Sequence, residues 1–324
     1  MKIGITYDLM QDYLDMGFSR EEAAEFDKPE TIQAIHGGLL ALGHEVVQIG
    51  NITKLTERLV AGDRWHIVFN ICEGVYGIGR EAQVPAILDA YRIPYVFSDP
   101  LVLALTLHKG MTKRVIRDLG IPTPDFDLVE CADEIADVHL SYPVFVKPAC
   151  EGSGKGIDAS SKVVDAEGLH KTCTQLLKKF GGPLLVEEFL PGREFTIAII
   201  GTGEDAKCLG IMECIFRKNA PTDSYSYENK NNYEEFMDYD FPEGPVADRC
   251  MAVALEAWRG LGCRDAGRID IRMDKHGTPN FIEVNPLAGL HPIDSDLPII
   301  GRHRGIDFNT VIKMIMESAL KRNP

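Results

Sequence analysis

The sequence has little that would place it in a membrane or on a nucleic acid. Across 324 residues no uninterrupted apolar run approaches the ~20 residues needed to cross a bilayer. The opening MKIGITYDLM carries one lysine and turns polar at once, so no secretory leader is expected there. Basic residues are outnumbered: 34 Lys plus Arg face 49 Asp plus Glu, a net charge of −15. The longest basic clusters are Lys178-Lys179 and Arg302-His303-Arg304. A surface this acidic repels a phosphate backbone, so neither a nucleic-acid nor a membrane partner is expected. The cysteines at 72, 131, 150, 173, 208, 214, 250 and 263 form no C-x-x-C, and the histidines offer no zinc spacing. Scattered, unpaired cysteines fit a reducing, cytoplasmic setting. Also missing are a G-x-G-x-x-G turn after the first strand and a G-x-x-x-x-G-K-[ST] loop, so nothing marks a dinucleotide or P-loop fold.

What is present is an alternation of strand and helix over residues 1–100. KIGITY, HEVVQIG and WHIVFNI read as strands; TIQAIHGGLLALG, ITKLTERLVAG and Ala82–Tyr91 read as helices. That order predicts a parallel, doubly wound unit. Leu101–Leu119 reads as one helix, stopped by Gly120-Ile-Pro-Thr-Pro124. Beyond about residue 125 strands come closer together: YPVFVKP, GIDASSKVV, PLLVEEF, REFTIAIIG and AKCLGIMECIF, with a helix near 165–180. Polar residues crowd Asn219–Tyr239, which reads as a long loop. A helix at 246–261, the strands GRIDIRMD and NFIEVNP, and a helix at 307–321 complete the chain. The expectation is α/β: a parallel unit followed by α+β units built on antiparallel sheet.

Three segments carry chemistry. In Lys147-Pro-Ala-Cys150-Glu151-Gly152-Ser153-Gly154-Lys155-Gly156, a lysine ends an apolar strand and a loop with three glycines follows. Glycines let backbone N–H groups approach phosphate oxygens, and lysines supply countercharge; alone, the same loop fits a plain flexible turn. In GRIDIR and FIEVNP, strand alternation puts Arg268 with Asp270 on one face and Glu283 with Asn285 on one face. Asp270, Glu283 and Asn285 offer three oxygen donors to a hard cation such as Mg²⁺, with Mn²⁺ as the alternative. In LVEEFLPGRE an apolar strand runs into Glu187, Glu188 and a Pro-Gly turn before Glu194, acids suited to an amino group or ribose hydroxyls but equally to a solvated strand end. Cys150 reads as a packed small hydrophobe, and His36, His44 and His66 as ordinary fold residues.

The order Lys109, Lys147 with its loop, Glu187, Glu194, Asp270, Glu283 and Asn285 resembles the ATP-grasp superfamily, and within it the D-alanine–D-alanine ligases. The resemblance runs from about Ile93 to the C-terminus and more loosely over the first domain. It implies an ATP-grasp fold with an N-terminal parallel α/β domain (1–100, substrate), a central subdomain with the glycine-rich loop (101–186) and a C-terminal subdomain with magnesium and substrate sites (187–324). It implies that Lys109, Lys147, Ser153 and Gly154 meet the ATP phosphates. Glu187, Glu188, Leu190 and Glu194 would line the adenine and ribose, and Lys230 would close over the nucleotide. Asp270, Glu283 and Asn285 would bind magnesium, with Arg268, Ser153 and Lys230 as the catalytic set. The activity implied is ATP-dependent joining of a small amino-acid-like carboxylate to an amine through an acyl phosphate, in a homodimer.

The substrate half departs from that family. Its serine-rich N-terminal loop, whose first glutamate holds an ammonium, corresponds here to EEAAEFDKPET, with Glu25 nearest and Asp27 behind it. Its HGxxGEDG segment appears as CEGVYGIGRE, with Glu73 near the histidine's place, and the residue after Lys230 is Asn231 rather than tyrosine. The stretch PLAGLHPIDSDLP brings His291, Asp294, Ser295 and Asp296 to the second substrate's carboxylate, where two acids repel it unless turned away or paired with Arg302 or Arg304. The readings left open are a D-alanine–D-alanine ligase, a ligase of the same fold for another amino-acid, peptide or natural-product pair, and a non-catalytic ATP-binding module.

Overall fold

A computed structural model describes residues 1–222, 224, 226, 228–229 and 232–323. Three sheets divide the chain. The first is parallel, in the order β2 (Glu45–Gly50), β1 (Lys2–Tyr7), β3 (Ile67–Ile71), and Val68 bridges on to Tyr95. Its strands are short and almost wholly apolar on β3, as expected where helices cover both faces. The second is antiparallel, ordered β4 (Phe126–Val129), β7 (Leu184–Glu188), β5 (Val144–Pro148), β6 (Lys162–Val163). The third, also antiparallel, is ordered β10 (Met237–Asp240), β9 (Lys207–Phe216), β8 (Glu194–Ile200), β11 (Ala266–Met273), β12 (Pro279–Asn285). We propose that these sheets mark the three units, with the second giving way to the third in the turn after Glu188, since β7 pairs along its length with β4 and β5.

The first and third units share a core. The helix Phe308–Arg322 lays Val311, Ile312 and Ile315 against Ile32, Ile35 and Leu39 of the helix Pro29–Ala41. Arg322 ties the joint, donating to the carbonyls of Tyr95 and Phe97 and pairing with buried Asp265 at 2.7 Å. The helix Pro245–Gly260 packs on β8, β11 and β12, with Trp258 fully buried and its indole N–H donating to Gly201 O at 3.1 Å. The middle sheet instead packs on its own helix, Ala166–Phe180, capped by Asp165 at its start. Among the described residues no helix is long and apolar enough to cross a membrane.

Three expectations need correction. The span 101–119 is two helices, Pro100–Leu107 and Lys109–Asp118. His108 breaks them: its backbone leaves the helical region and its ring accepts the Met111 N–H, capping the second helix. GIDASSKVV contributes only the two residues of β6, because Asp158 accepts the N–H of Ser160 and folds the segment before it into a turn. Asn219–Tyr239 is not loop throughout. Tyr233–Phe236 forms a short helix and β10 pairs with β9, held by Arg217, which bonds Asp238 at 3.0 Å and the carbonyl of Glu234 at 2.8 Å.

Gly267 sits where β11, β12 and Trp258 meet. A Cβ there would lie 2.5 Å from the Asn285 carbonyl oxygen and 2.7 Å from the Trp258 ring. Gly267→Ala is therefore expected to cost about 1–3 kcal/mol through overpacking, seen as a lower urea midpoint at unchanged m-value.

Candidate active site

Antiparallel pairing of β11 with β12 sets Asp270 opposite Glu283 and Arg268 opposite Asn285. All four belong to the faces that strand alternation grouped, and the register brings the two pairs side by side. Asp270 is buried; Thr196 donates to one of its oxygens at 2.8 Å and the Asn285 amide approaches the other at 3.4 Å. Burial pushes the Asp270 carboxyl up to about 7 against the pull of Arg268, and Glu283 and Asp296 push the same way. Glu283 is also driven up by burial, but Lys109, Lys147 and Arg268 outweigh that and hold it at about 2. Two carboxylates and an amide oxygen form a hard-donor set that fits Mg²⁺, which takes one or two carboxylates and completes its shell with water and phosphate.

Three lysines face these acids. The break at His108 turns Lys109 to the start of its helix, where its N–H donates to Ala149 O at 2.9 Å. Its Nζ lies 3.6 Å from Glu283 and donates to the Glu151 carbonyl. Lys147, at the end of β5, pairs with Glu187 at 2.8 Å. Lys113, one turn past Lys109 and fully buried, takes the other Glu187 oxygen at 2.8 Å and donates to Thr123 Oγ1 at 2.9 Å. Burial lowers the Lys113 ammonium to about 8 despite Glu187. Burial opposes charge on Glu187 as well, yet the two lysines hold its carboxyl below the usual range. Both Glu187 oxygens are thus engaged by lysines, while Glu188 points outward.

Lys109, Lys147, Glu187, Arg268, Asp270 and Glu283 line a cleft of about 840 Å³, counted with its open mouth, together with Phe145, Phe189, Leu190, Glu194 and the loop Glu151–Lys155. Phe189 lies under two cations, Lys162 Nζ at 3.9 Å and the Arg272 guanidinium at 5.0 Å. Arg272 also pairs with Glu194 at 2.9 Å. One half of the cleft is therefore apolar and aromatic, the other lined by lysines and acids. Ser153 and Gly154 both adopt positive φ, 52° and 69°, so the loop turns back over the cleft. Lys230 and Asn231 lie outside the described residues.

A second chamber, about 2320 Å³ with its open mouth, adjoins the first. Lys109, Glu151, Gly152, Ser153, Arg268 and Glu283 line both. The far wall carries Glu25, Asp27, Glu73 and Glu81, and the near rim carries Asn285, His291, Asp294 and Ser295. Glu25 accepts the Gly152 N–H at 2.6 Å and pairs with Arg80 at 3.0 Å and Lys155 at 3.2 Å. Burial, then the facing acids Glu81, Glu25 and Asp27, push Glu73 well above the usual carboxylate range. Burial pushes Glu81 up to about 7 against Arg80, and burial with Asp8 pushes Asp27 up to about 8. Asp294 lies 3.2 Å from His291, and Ser295 accepts the His291 N–H at 2.9 Å. Asp296 is buried and pairs with Arg268, not with either arginine expected of it. Arg302 donates to the carbonyls of Pro292 and Ile293, and Arg304 lies 3.6 Å from Glu243.

Lys113, Arg80, Glu81 and Arg272 escaped the sequence reading. Lys113 lies one helical turn from Lys109, a spacing that puts both on one face; the other three stand beside residues already singled out. Cys150 is buried in an apolar cluster with Phe126, Ala149 and Leu185, and burial raises its thiol despite Lys109 and Arg80, as suits a packed small hydrophobe.

Two outcomes follow. Lys113→Met leaves Glu187 half-paired in the interior and should cost about 3–5 kcal/mol, measured by urea unfolding. Asp27 binds its proton more tightly folded than unfolded, so it destabilises the fold progressively as pH rises from about 4 to about 8. Asp27→Asn should match the parent near pH 4, gain thermal stability through that window and keep a constant gain above it. An equal shift at all pH values would reject this assignment.

Comparison with known proteins agrees with this geometry. The family profile described as "D-ala D-ala ligase C-terminus" matches residues 115–317. Curated D-alanine–D-alanine ligases are similar along most of their length. The one from Bordetella petrii is 32% identical over 298 residues, 89% of this chain and 86% of that protein. The one from Aquifex aeolicus is 30% identical, over 89% and 94%. The fold is shared with the Bacillus anthracis D-alanine–D-alanine ligase complexed with ATP (TM-score 0.74, 22% identity, 99% of this chain and 98% of that one). It is shared also with the VanG D-Ala:D-Ser ligase of Enterococcus faecalis (TM-score 0.75, 18% identity, 98% and 99%). With two antiparallel sheets enclosing a lysine- and acid-lined cleft and a parallel unit walling the chamber beside it, the chain belongs to the D-alanine–D-alanine ligase family of ATP-grasp enzymes, ATP-dependent ligases that form an amide bond.

Proposed function

We propose that this ligase activates a small amino-acid-like carboxylate as its acyl phosphate and transfers the acyl group to an amine. The observation that carries this reading is the wall common to both clefts, Lys109, Glu151–Ser153, Arg268 and Glu283. A γ-phosphate in the first chamber and a carboxylate in the second would meet there. The donor carboxylate oxygen attacks the γ-phosphorus, the bond to ADP breaks, and an acyl phosphate forms. The amine nitrogen then attacks the acyl carbon, inorganic phosphate leaves, and the nitrogen loses its proton.

In this scheme Lys109, Lys147 and the Ser153–Gly154 turn hold phosphate oxygens, and Lys113 with Glu187 fixes Lys147 in place. Phe189, Leu190, Glu188 and Glu194 take the adenosine end. Asp270, Glu283 and Asn285 would hold Mg²⁺, which when bound would supply countercharge on the phosphates. Arg268, set by Asp296, faces the developing oxyanion; Lys230, the remaining member of the expected set, lies outside the described residues. The setting proposed is the cytoplasm.

A second reading within the same chemistry concerns the substrates. Glu25 is taken by Arg80, Lys155 and Gly152. It is not free to receive an ammonium as the family pattern requires, which favours a donor–acceptor pair other than two D-alanines, with Glu73, Glu81, Asp294 and Ser295 facing it.

The test is Mg²⁺-dependent ADP release with D-alanine, then with a panel of amino acids and peptides, with amide product followed by mass. Release that needs both a carboxylate and an amine, with one amide per ADP, is expected; ATP turnover without amide would reject the reading. Asp270→Asn or Glu283→Gln should lower kcat by roughly 10²–10³-fold with the fold intact.

A further inference from the structure

Arg80 lines neither chamber, yet it is buried between the first unit and the glycine-rich loop, its side chain 8% exposed. One guanidinium nitrogen lies 3.0 Å from Glu25 and 3.8 Å from Glu151; the other donates to the Cys150 carbonyl at 2.9 Å. Lys155 closes the set, 2.5 Å from Glu151 and 3.2 Å from Glu25. Two cations and two carboxylates balance, and only Glu25 and Arg80 come from the first unit.

The loop's entrance is thereby gripped at three consecutive residues. Arg80 takes the Cys150 carbonyl, Lys109 takes the Glu151 carbonyl, and Glu25 takes the Gly152 N–H. The fit at Gly152 is close: a Cβ would lie 2.5 Å from Glu25 Oε1. Glu25 stays charged in this buried place because Arg80 and Lys155 offset the cost of its burial. An arginine suits the position because its planar fork reaches a carboxylate and a carbonyl at once, which an ammonium on a flexible stem does not.

We propose that Arg80 is a positioning residue for the nucleotide: through Glu25 and Cys150 it holds the phosphate loop in the conformation that binds ATP, so the unit that binds the acid also sets nucleotide affinity. This rests on the reading that the loop covers the ATP phosphates. The structural consequence is directional. Losing Arg80 leaves Glu25 and Glu151 as two acids against one lysine beside the phosphates, which both loosens the loop and repels the nucleotide.

The test measures Mg·ADP binding by calorimetry and steady-state KM for ATP in the whole protein, with thermal unfolding alongside. Arg80→Met should weaken Mg·ADP by about tenfold or more, the scale of a lost hydrogen bond to a charged group, and raise KM for ATP more than it lowers kcat. Arg80→Lys, which restores charge but not the fork, should recover part of that loss. Glu25→Gln keeps an acceptor for Gly152 and removes the charge Arg80 pairs with; it should weaken Mg·ADP in the same direction and serves if Arg80→Met does not fold. Folded Arg80→Met or Glu25→Gln protein that binds Mg·ADP within twofold of the parent would overturn the proposal, as would a loss confined to kcat. A parent protein that fails to bind Mg·ADP would instead remove the nucleotide reading on which the proposal stands.

Discussion

The constraint that organises the site is two carboxylates held opposite each other where water is scarce. Once β11 and β12 pair with Asp270 across from Glu283, charge of one sign accumulates in an interior that disfavours it. The surroundings answer with cations from every direction: Arg268 from β11, Lys109 from a helix start and Lys147 from the end of β5. Even so the two acids do not share the burden equally; one is held ionised and the other drawn toward its proton. The divalent ion proposed at these donors would ease that imbalance.

The same logic separates what could be read from the sequence and what could not. Asp270, Glu283 and Asn285 were legible because a strand has a period of two, and acids inside apolar alternation stand out. Lys147 and its loop were legible only beside those acids, since alone the loop fits a plain flexible turn. Lys113 was not, since a lysine on an amphipathic helix ordinarily faces water; only the fold reveals that this one is sealed against Glu187. Arg80 was hidden for another reason: its partners lie 55 and 70 or more residues away, a distance that local pattern cannot span. The two-helix break at His108 and the pairing of β10 were misjudged because a ring cap and one arginine overrode the local pattern.

The substrate chamber differs from the nucleotide cleft in how its charges are spent. In the cleft Glu187, Glu194, Asp270 and Glu283 each have a cation near them. On the far wall of the chamber burial outweighs nearby charge: Glu73, pressed further by Glu81 and Glu25, and Glu81, despite Arg80, are both driven toward neutrality. Meanwhile Glu25, nearest the family's ammonium-holding glutamate, is engaged internally by Arg80 and Lys155.

The cores of the three units have a mechanical corollary. The first and third are fused through a common apolar interior, whereas the middle sheet packs on hydrophobic residues of its own. Ionic contacts such as Glu21 with Lys179, Glu25 with Lys155 and Arg80 with Glu151 join it to the first. Apolar seams are indifferent to dissolved salt, and the enclosed pairs Glu25–Lys155 and Arg80–Glu151 are screened far less than the exposed Glu21–Lys179 pair. Dissolved salt therefore acts mainly on the outer edge of that joint, and the part sealed around Arg80 keeps its grip at ionic strengths that loosen the rim.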